Sequence, residues 1–385
     1  MHWNRTIRGS AAIAVIVLIT VGWHGASAQN RPAAAREVPQ FKADASWPKI
    51  PNGWVLGQVS SAAVDDRDHV WVLHRPRVVR PGLKTGPPVM EFDAAGNYLQ
   101  GWGGAAVGYD WPASEHGIYV DYKGYVWICG SGDDDQVLKF NKAGKFVMQI
   151  GHRGRPKTNR DTGSFWKPTE MAVYPKTNEL FVSDGYGNKR IIVFDADTGA
   201  FKRMWGAFAS VPEDGKTNPV STGIPAKEID PKDPGPPQFD TVHGIKVSND
   251  GLVYVSDRGG KRVQVFTIDG KFVAQAFIDR WCEAPHCGNG QTVAATAFSA
   301  DAEQRFLYVA SRSPARIWVL DRMTLKPLDS FGRPGIAPGE FYVLHHLTTD
   351  SKGNVYASEV EDGRRIQKFS EVKPARGGAG GARLP

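Results

Sequence analysis

Cysteine is scarce in this chain of 385 residues: there are three. No two of them form a Cys-x-x-Cys pair, which excludes a thiolate zinc site. Cys282 and Cys287, in the stretch WCEAPHCGNG, are near enough in sequence for a small surface disulfide. Cys129, in the apolar stretch YVWICG, reads as a small buried residue. Charge of one sign is nowhere concentrated. The formal net charge is +7, yet no five basic residues run together, which argues against nucleic acid as a partner. A comfortably membrane-spanning apolar run is also missing. The apolar segment 11–22 is too short for one; with Arg5 and Arg8 ahead of it and Ala26-Ser27-Ala28 behind, residues 1–28 read as a secretory signal peptide. The alternative is an uncleaved anchor. No Cys follows the cleavage site and no Arg-Arg pair precedes it, so export is expected by the ordinary unfolded route, without a lipid. The mature chain is then periplasmic or secreted, in an oxidising compartment, with no membrane contact after cleavage.

What the chain has in abundance is turn chemistry. Its 43 Gly and 26 Pro fit many short strands better than long helices, and its apolar content of 41% excludes wholesale disorder. One pattern recurs: an apolar strand, an Asp-x-x-Gly turn, a VYVSD-like strand, an Arg-Ile/Val strand, then a turn and GKFV. Six copies follow one another, with equivalent positions at Ser60, His116, Thr169, His243, Ala294 and His345. Each copy holds three or four alternating strands that cannot cover both faces alone. Stacked radially, neighbours cover one another, which predicts an all-β, six-bladed propeller. The expected organisation is a signal peptide over 1–28, a linker over 29–40, the propeller over 41–370 and a disordered tail over 371–385. The segment FKADASWP, 41–48, is expected to complete the short last blade and close the ring. A Pro-rich loop over 211–237, either functional or mobile, leads into blade four, and a second over 76–88 is placed after blade one.

The repeat register also places chemistry. Three of the six equivalent positions are His, and they fall in alternate blades, two, four and six. Alternate blades lie about 120° apart around the axis. His116, His243 and His345 are therefore expected to converge in the central channel as a metal site, three imidazoles with an open fourth position being the ligand set of a catalytic zinc. Copper, iron and nickel suit the same donors. A lone His at a strand start is usually structural, but Ser60, Thr169 and Ala294 show that His is not the default residue of this repeat. The ends of the second strands return to the same mouth. They bring Arg75, Arg258 and Arg312, whose forked donors suit a substrate carboxylate, or alternatively a salt bridge to a neighbouring blade. Tyr186, in SDGYGNKR, lies one residue beyond the corresponding place in blade three, and a phenol beside a metal can serve as a base. Asp184 and Asp257 recur with the repeat and read as structural.

These residues carry a resemblance. The repeat resembles NHL-repeat propellers, and LGQVSSAAVD, FVSDGYGNKRIIVF and FDTVHGIKV resemble, more narrowly, peptidyl-α-hydroxyglycine α-amidating lyase, over 56–369. That family is a six-bladed propeller with a three-histidine zinc site, and it splits a peptidyl-α-hydroxyglycine into an amide and glyoxylate. The resemblance implies zinc on His116, His243 and His345, a catalytic Tyr186, and substrate binding by Arg75 and Arg258; it does not require Arg312. The implied partner is a small-molecule or peptide substrate bearing a carboxylate. The family's structural calcium uses an Asp after the third zinc His. Here that position is His346, a poor ligand for a hard cation, which leaves the backbone carbonyls of Ala62 and Ile118 as remaining donors. The family's cysteine after the tyrosine is Gly187 here. Two other functions remain open on the same scaffold: a zinc-dependent hydrolase of lactones or esters, and a propeller that only binds.

Overall fold

The computed structural model describes residues 37–155, 157–214, 230, 232–284 and 287–372. The expected signal peptide and most of the loop over 211–237 lie outside these residues. Within them are twenty-four strands in six four-stranded antiparallel sheets. A closing strand, β1 (Gln40–Asp44), comes first. Blade one holds β2 (Gln58–Val64), β3 (Val70–Arg75), β4 (Val89–Phe92) and β5 (Tyr98–Trp102). Blade two holds β6 (Glu115–Val120), β7 (Tyr125–Gly130), β8 (Val137–Asn141) and β9 (Phe146–Ile150). Blade three holds β10 (Pro168–Tyr174), β11 (Glu179–Asp184), β12 (Arg190–Asp195) and β13 (Phe201–Trp205). Blade four holds β14 (Val242–Val247), β15 (Leu252–Asp257), β16 (Arg262–Thr267) and β17 (Phe272–Phe277). Blade five holds β18 (Val293–Phe298), β19 (Phe306–Ser311), β20 (Arg316–Asp321) and β21 (Pro327–Phe331). Blade six holds β22 (Leu344–Thr349), β23 (Val355–Glu359) and β24 (Ile366–Val372), with β1 as its outer strand.

In blades one, two and six an acidic turn holds the first hairpin of the meander. Asp121 Oδ1 accepts the N–H groups of Lys123 and Tyr125, and its Oδ2 accepts Trp127 Nε1–H at 2.8 Å. Asp65 and Asp350 repeat this arrangement with Trp71 and Tyr356. Between the blades lie six apolar clusters. One joins Trp71 and Leu73 of blade one to Ile118 and Val126 of blade two. The last joins Tyr356 and Ile366 of blade six to Val59 and Val72 of blade one. Burial of each such side chain contributes about 1.5–3 kcal/mol, and the ring shares that gain across every interface.

Two boundaries differ from the sequence expectation. β1 begins at Gln40 and pairs with Val372, so the last strand runs two residues into the segment read as tail. The Pro-rich loop over 76–88 lies inside blade one, between β3 and β4, because LKTGPPVMEFD supplies that blade's third strand.

One irregularity positions the site. The ladder between the two innermost strands of every blade shifts register at its start, between Val59/Ser61, Glu115/Gly117, Pro168/Glu170, Val242/Gly244, Val293/Ala295 and Leu344/His346. The skipped residues are Ser60, His116, Thr169, His243, Ala294 and His345. A bulge leaves one residue unpaired and re-aims it. The six equivalent positions of the repeat are thus the six bulge residues.

Candidate metal centre

The bulges bring three imidazoles together. The ring centroids of His116, His243 and His345 are 4.8, 4.7 and 4.6 Å apart, a nearly equilateral triangle, and each residue is 2% exposed. One ring nitrogen from each lies within 4.8 Å of the others. The opposite nitrogens are fixed by main chain. His116 Nδ1 is 2.8 Å from Thr169 O, His243 Nδ1 is 2.6 Å from Ala294 O, and His345 Nδ1 is 2.6 Å from Ser60 O. A carbonyl only accepts, so Nδ1 carries the hydrogen and Nε2 turns its lone pair inward. The acceptors are the other three bulge residues, one blade on. Burial, with the arginines nearby, pushes all three imidazoles well below their ordinary pKa, so they are neutral at neutral pH. Three neutral nitrogens with their far sides pinned are a donor set that fits an imidazole-seeking divalent metal.

Tyr186 stands over this triangle. Its Oη is 3.3 Å from His116 Nε2, 3.1 Å from His243 Nε2 and 2.9 Å from Arg258 Nη1. Glycines seat the tyrosine. A Cβ on Gly185 would lie 1.7 Å from Val242 O, and one on Gly187 would lie 2.2 Å from the Trp166 ring. The loop therefore presses against the strand that carries His243. Arg258 is 6% exposed, and its Nε is buried without a hydrogen-bond partner. Arg75 donates to Glu115 O at 2.8 Å and to Gln58 Oε1 at 2.6 Å, and burial lowers its pKa, opposed by Tyr186 and Glu115. Arg312 is the exception among the arginines: its Nη2 is spent on Glu361 at 2.7 Å, the neighbouring-blade salt bridge that was its alternative reading. Asp184 and Asp257 are fully buried on Arg190 and Arg262, each at 2.9 Å, and tie the second strand to the third within blades three and four.

The calcium expectation fares differently. Beneath the imidazoles His346 Nε2 is 2.6 Å from Glu170 Oε1, and the same oxygen meets Lys246 Nζ. Ala62 and Ile118 line a cavity of about 290 Å³ that Lys246 also lines. A resident ammonium and an imidazole do not fit a hard divalent cation, which seeks several oxygens. Glu170 and Lys246 were not singled out by sequence. Their signal was available: each is the one Asp, Glu, Lys or Arg of its innermost strand, PTEMAVY and VHGIKV. A second grouping, Asp65 and His69 of a turn with Glu91 of β4, is already paired with Lys142 and Arg67. The Cys282–Cys287 disulfide is present with its Cα atoms 5.3 Å apart, but it is buried, at 0% and 7% exposure, and not superficial. It fits an oxidising compartment. Among the described residues no helix is long and apolar enough to cross a membrane.

Comparisons with known proteins bear on the repeat and the fold. The model of the NHL repeat matches residues 239–266, which span β14 to β16. The chain is 28% identical to NHL repeat-containing protein 3 of Mus musculus, over 86% of this chain and 85% of that one. It is 32% identical to a probable peptidyl-alpha-hydroxyglycine alpha-amidating lyase of Caenorhabditis elegans, over 40% of this chain and 36% of that one. Among solved structures, a streptogramin B lyase superimposes with a TM-score of 0.51 at 14% identity, covering 86% of this chain and 98% of that one, which speaks for the fold alone. The chain is a six-bladed β-propeller with an NHL repeat over 239–266, and it resembles the hydroxyglycine amidating lyases at a distance.

Proposed function

We propose that this propeller is a zinc-dependent lyase that cleaves the C–N bond of an α-hydroxyglycine-like carbinolamide to an amide and glyoxylate. The observation that carries the reading is the phenol of Tyr186, placed within hydrogen-bond distance of two converging imidazole nitrogens and one arginine. His116, His243 and His345 would hold the metal, which supplies Lewis acidity toward a substrate hydroxyl or carbonyl oxygen.

The chain's own residues account for the rest. Arg258 has a buried, unpartnered Nε, and a substrate carboxylate satisfies it. Arg75 offers a second guanidinium at the same mouth, and the two together fix the carbinol carbon beside Tyr186. Tyr186, as the phenolate, takes the hydroxyl proton on Oη. The carbon–oxygen bond becomes a carbonyl, the C–N bond breaks with its electron pair on nitrogen, and Tyr186 returns the proton to that nitrogen. No proton is gained or lost overall, so one group serves as base and then acid. Arg258, 2.9 Å from Oη, stabilises the phenol oxygen while it is without its proton.

The reading includes export: residues 1–28 act as a cleaved signal peptide, and the mature N-terminus is Gln29. The deciding experiment offers purified protein a synthetic N-acyl-α-hydroxyglycine and measures amide and glyoxylate above the spontaneous rate. Equal amounts of both support the lyase. Acid from a lactone or ester, with no glyoxylate, supports the hydrolase, and absence of bound metal after zinc is offered leaves a propeller that binds.

A further inference from the structure

The floor beneath the three imidazoles is held by charge. Glu170, on β10, is 1% exposed, and a carboxylate so buried requires partners. It has three. Oε1 meets Lys246 Nζ of β14 and His346 Nε2 of β22, and Oε2 accepts the Ile245 N–H at 2.8 Å. Gly244 leaves the room, since a Cβ there would lie 2.9 Å from Oε2. Burial alone would raise the pKa of Glu170, but Lys246 and His346 outweigh it and hold it down at about 2. The three strands drawn together are those that build the imidazole site. β14 and β22 carry His243 and His345, and β10 carries Thr169, whose carbonyl holds His116.

Charge counting favours an ammonium here. Glu170 is the carboxylate that Lys246 and His346 share, and one Lys balances it one for one. A divalent ion at the same place would leave a net positive charge in a buried site. Ala62 and Ile118 line the cavity that Lys246 also lines.

We propose that the Lys246 ammonium is the resident cation of the channel floor, standing where a divalent ion would otherwise be held, and that Glu170, through it and His346, is a positioning residue for the three imidazoles. The positioning half rests on the metal-site reading above; the cation half does not.

The test uses the full mature chain with zinc bound. Equilibrium dialysis against millimolar calcium, followed by elemental analysis, is expected to find no calcium in the wild type. Lys246→Ala, which frees Glu170 and the cavity, is expected to take up about one equivalent and to melt higher with calcium than without it. Glu170→Gln is expected to lower zinc affinity about tenfold in chelator competition and to shift the visible bands of the cobalt-substituted protein. An equivalent of calcium in the wild type that disappears in Glu170→Gln overturns the cation assignment, as does a folded Lys246→Ala indifferent to calcium. If Lys246→Ala does not fold, the wild-type measurement decides the cation by itself. Unchanged zinc affinity and cobalt bands in Glu170→Gln overturn the positioning role. A wild type that binds no zinc defeats the proposed function but leaves the calcium comparison intact.

Discussion

Gly185→Ala tests the placement of Tyr186 without touching an imidazole. The added Cβ would lie 1.7 Å from Val242 O, whereas real Cβ contacts essentially never fall under 3.0 Å, so loop and strand must part by more than an ångström. The strand is the less free to move: Val242 is fully buried in β14 and packs in the cluster between blades three and four. The loop moves instead and takes Tyr186 with it. Contacts of 3.1 and 3.3 Å from Oη to the two Nε2 atoms do not survive such a shift. Misplacement by about 1 Å costs on the order of 100-fold in rate, or about 2.7 kcal/mol of barrier. Overpacking costs about 1–3 kcal/mol of stability in addition. The assay is glyoxylate release from N-benzoyl-α-hydroxyglycine, with metal content and melting temperature measured on the same sample. The expected variant folds, keeps its metal and turns over roughly 100-fold more slowly by the same reasoning. Wild-type turnover in a folded Gly185→Ala would show that the seat of Tyr186 has no bearing on the chemistry.

Other outcomes follow from the same geometry. Tyr186→Phe should keep its metal and lose most turnover, as read by elemental analysis beside the glyoxylate assay; unchanged turnover removes Tyr186 from the reaction. His243→Ala should lose the equivalent of zinc that the wild type holds, because two imidazoles do not make a closed site; full retention places the metal elsewhere. Glu170 has a folded pKa of about 2 against an ordinary 4.5, so its stabilisation is complete above about pH 4.5 and is lost as pH falls toward 2. Denaturation between pH 2 and 6 should accordingly show a shallower acid limb in Glu170→Gln than in the wild type, and coincident limbs would refute it.

The fold was legible because its period is. Six copies with Asp turns and Arg-Ile/Val strands left one architecture, and the alternation of His at one register was enough to bring His116, His243 and His345 together. Tyr186 was legible from its glycine-flanked turn. What the sequence hid is main chain and long reach. The Nδ1 acceptors are carbonyls, which every residue carries, so Ser60, Thr169 and Ala294 looked like mere departures from His. The bulges hid Glu170, since strict alternation would turn a residue next to a channel position away from the axis. Arg312 is engaged by Glu361, a residue 49 positions away.

The carbonyls that fix the imidazoles have a consequence for inheritance. An orienting carboxylate can be erased by one codon change. Here the orienting groups belong to the peptide backbone of Ser60, Thr169 and Ala294, so no substitution at those positions deletes them. Their side chains take no part in that bond, as serine, threonine and alanine already illustrate. The arrangement that keeps three ring nitrogens facing inward can therefore outlast much divergence in the rest of the chain, including divergence in what the site is used for.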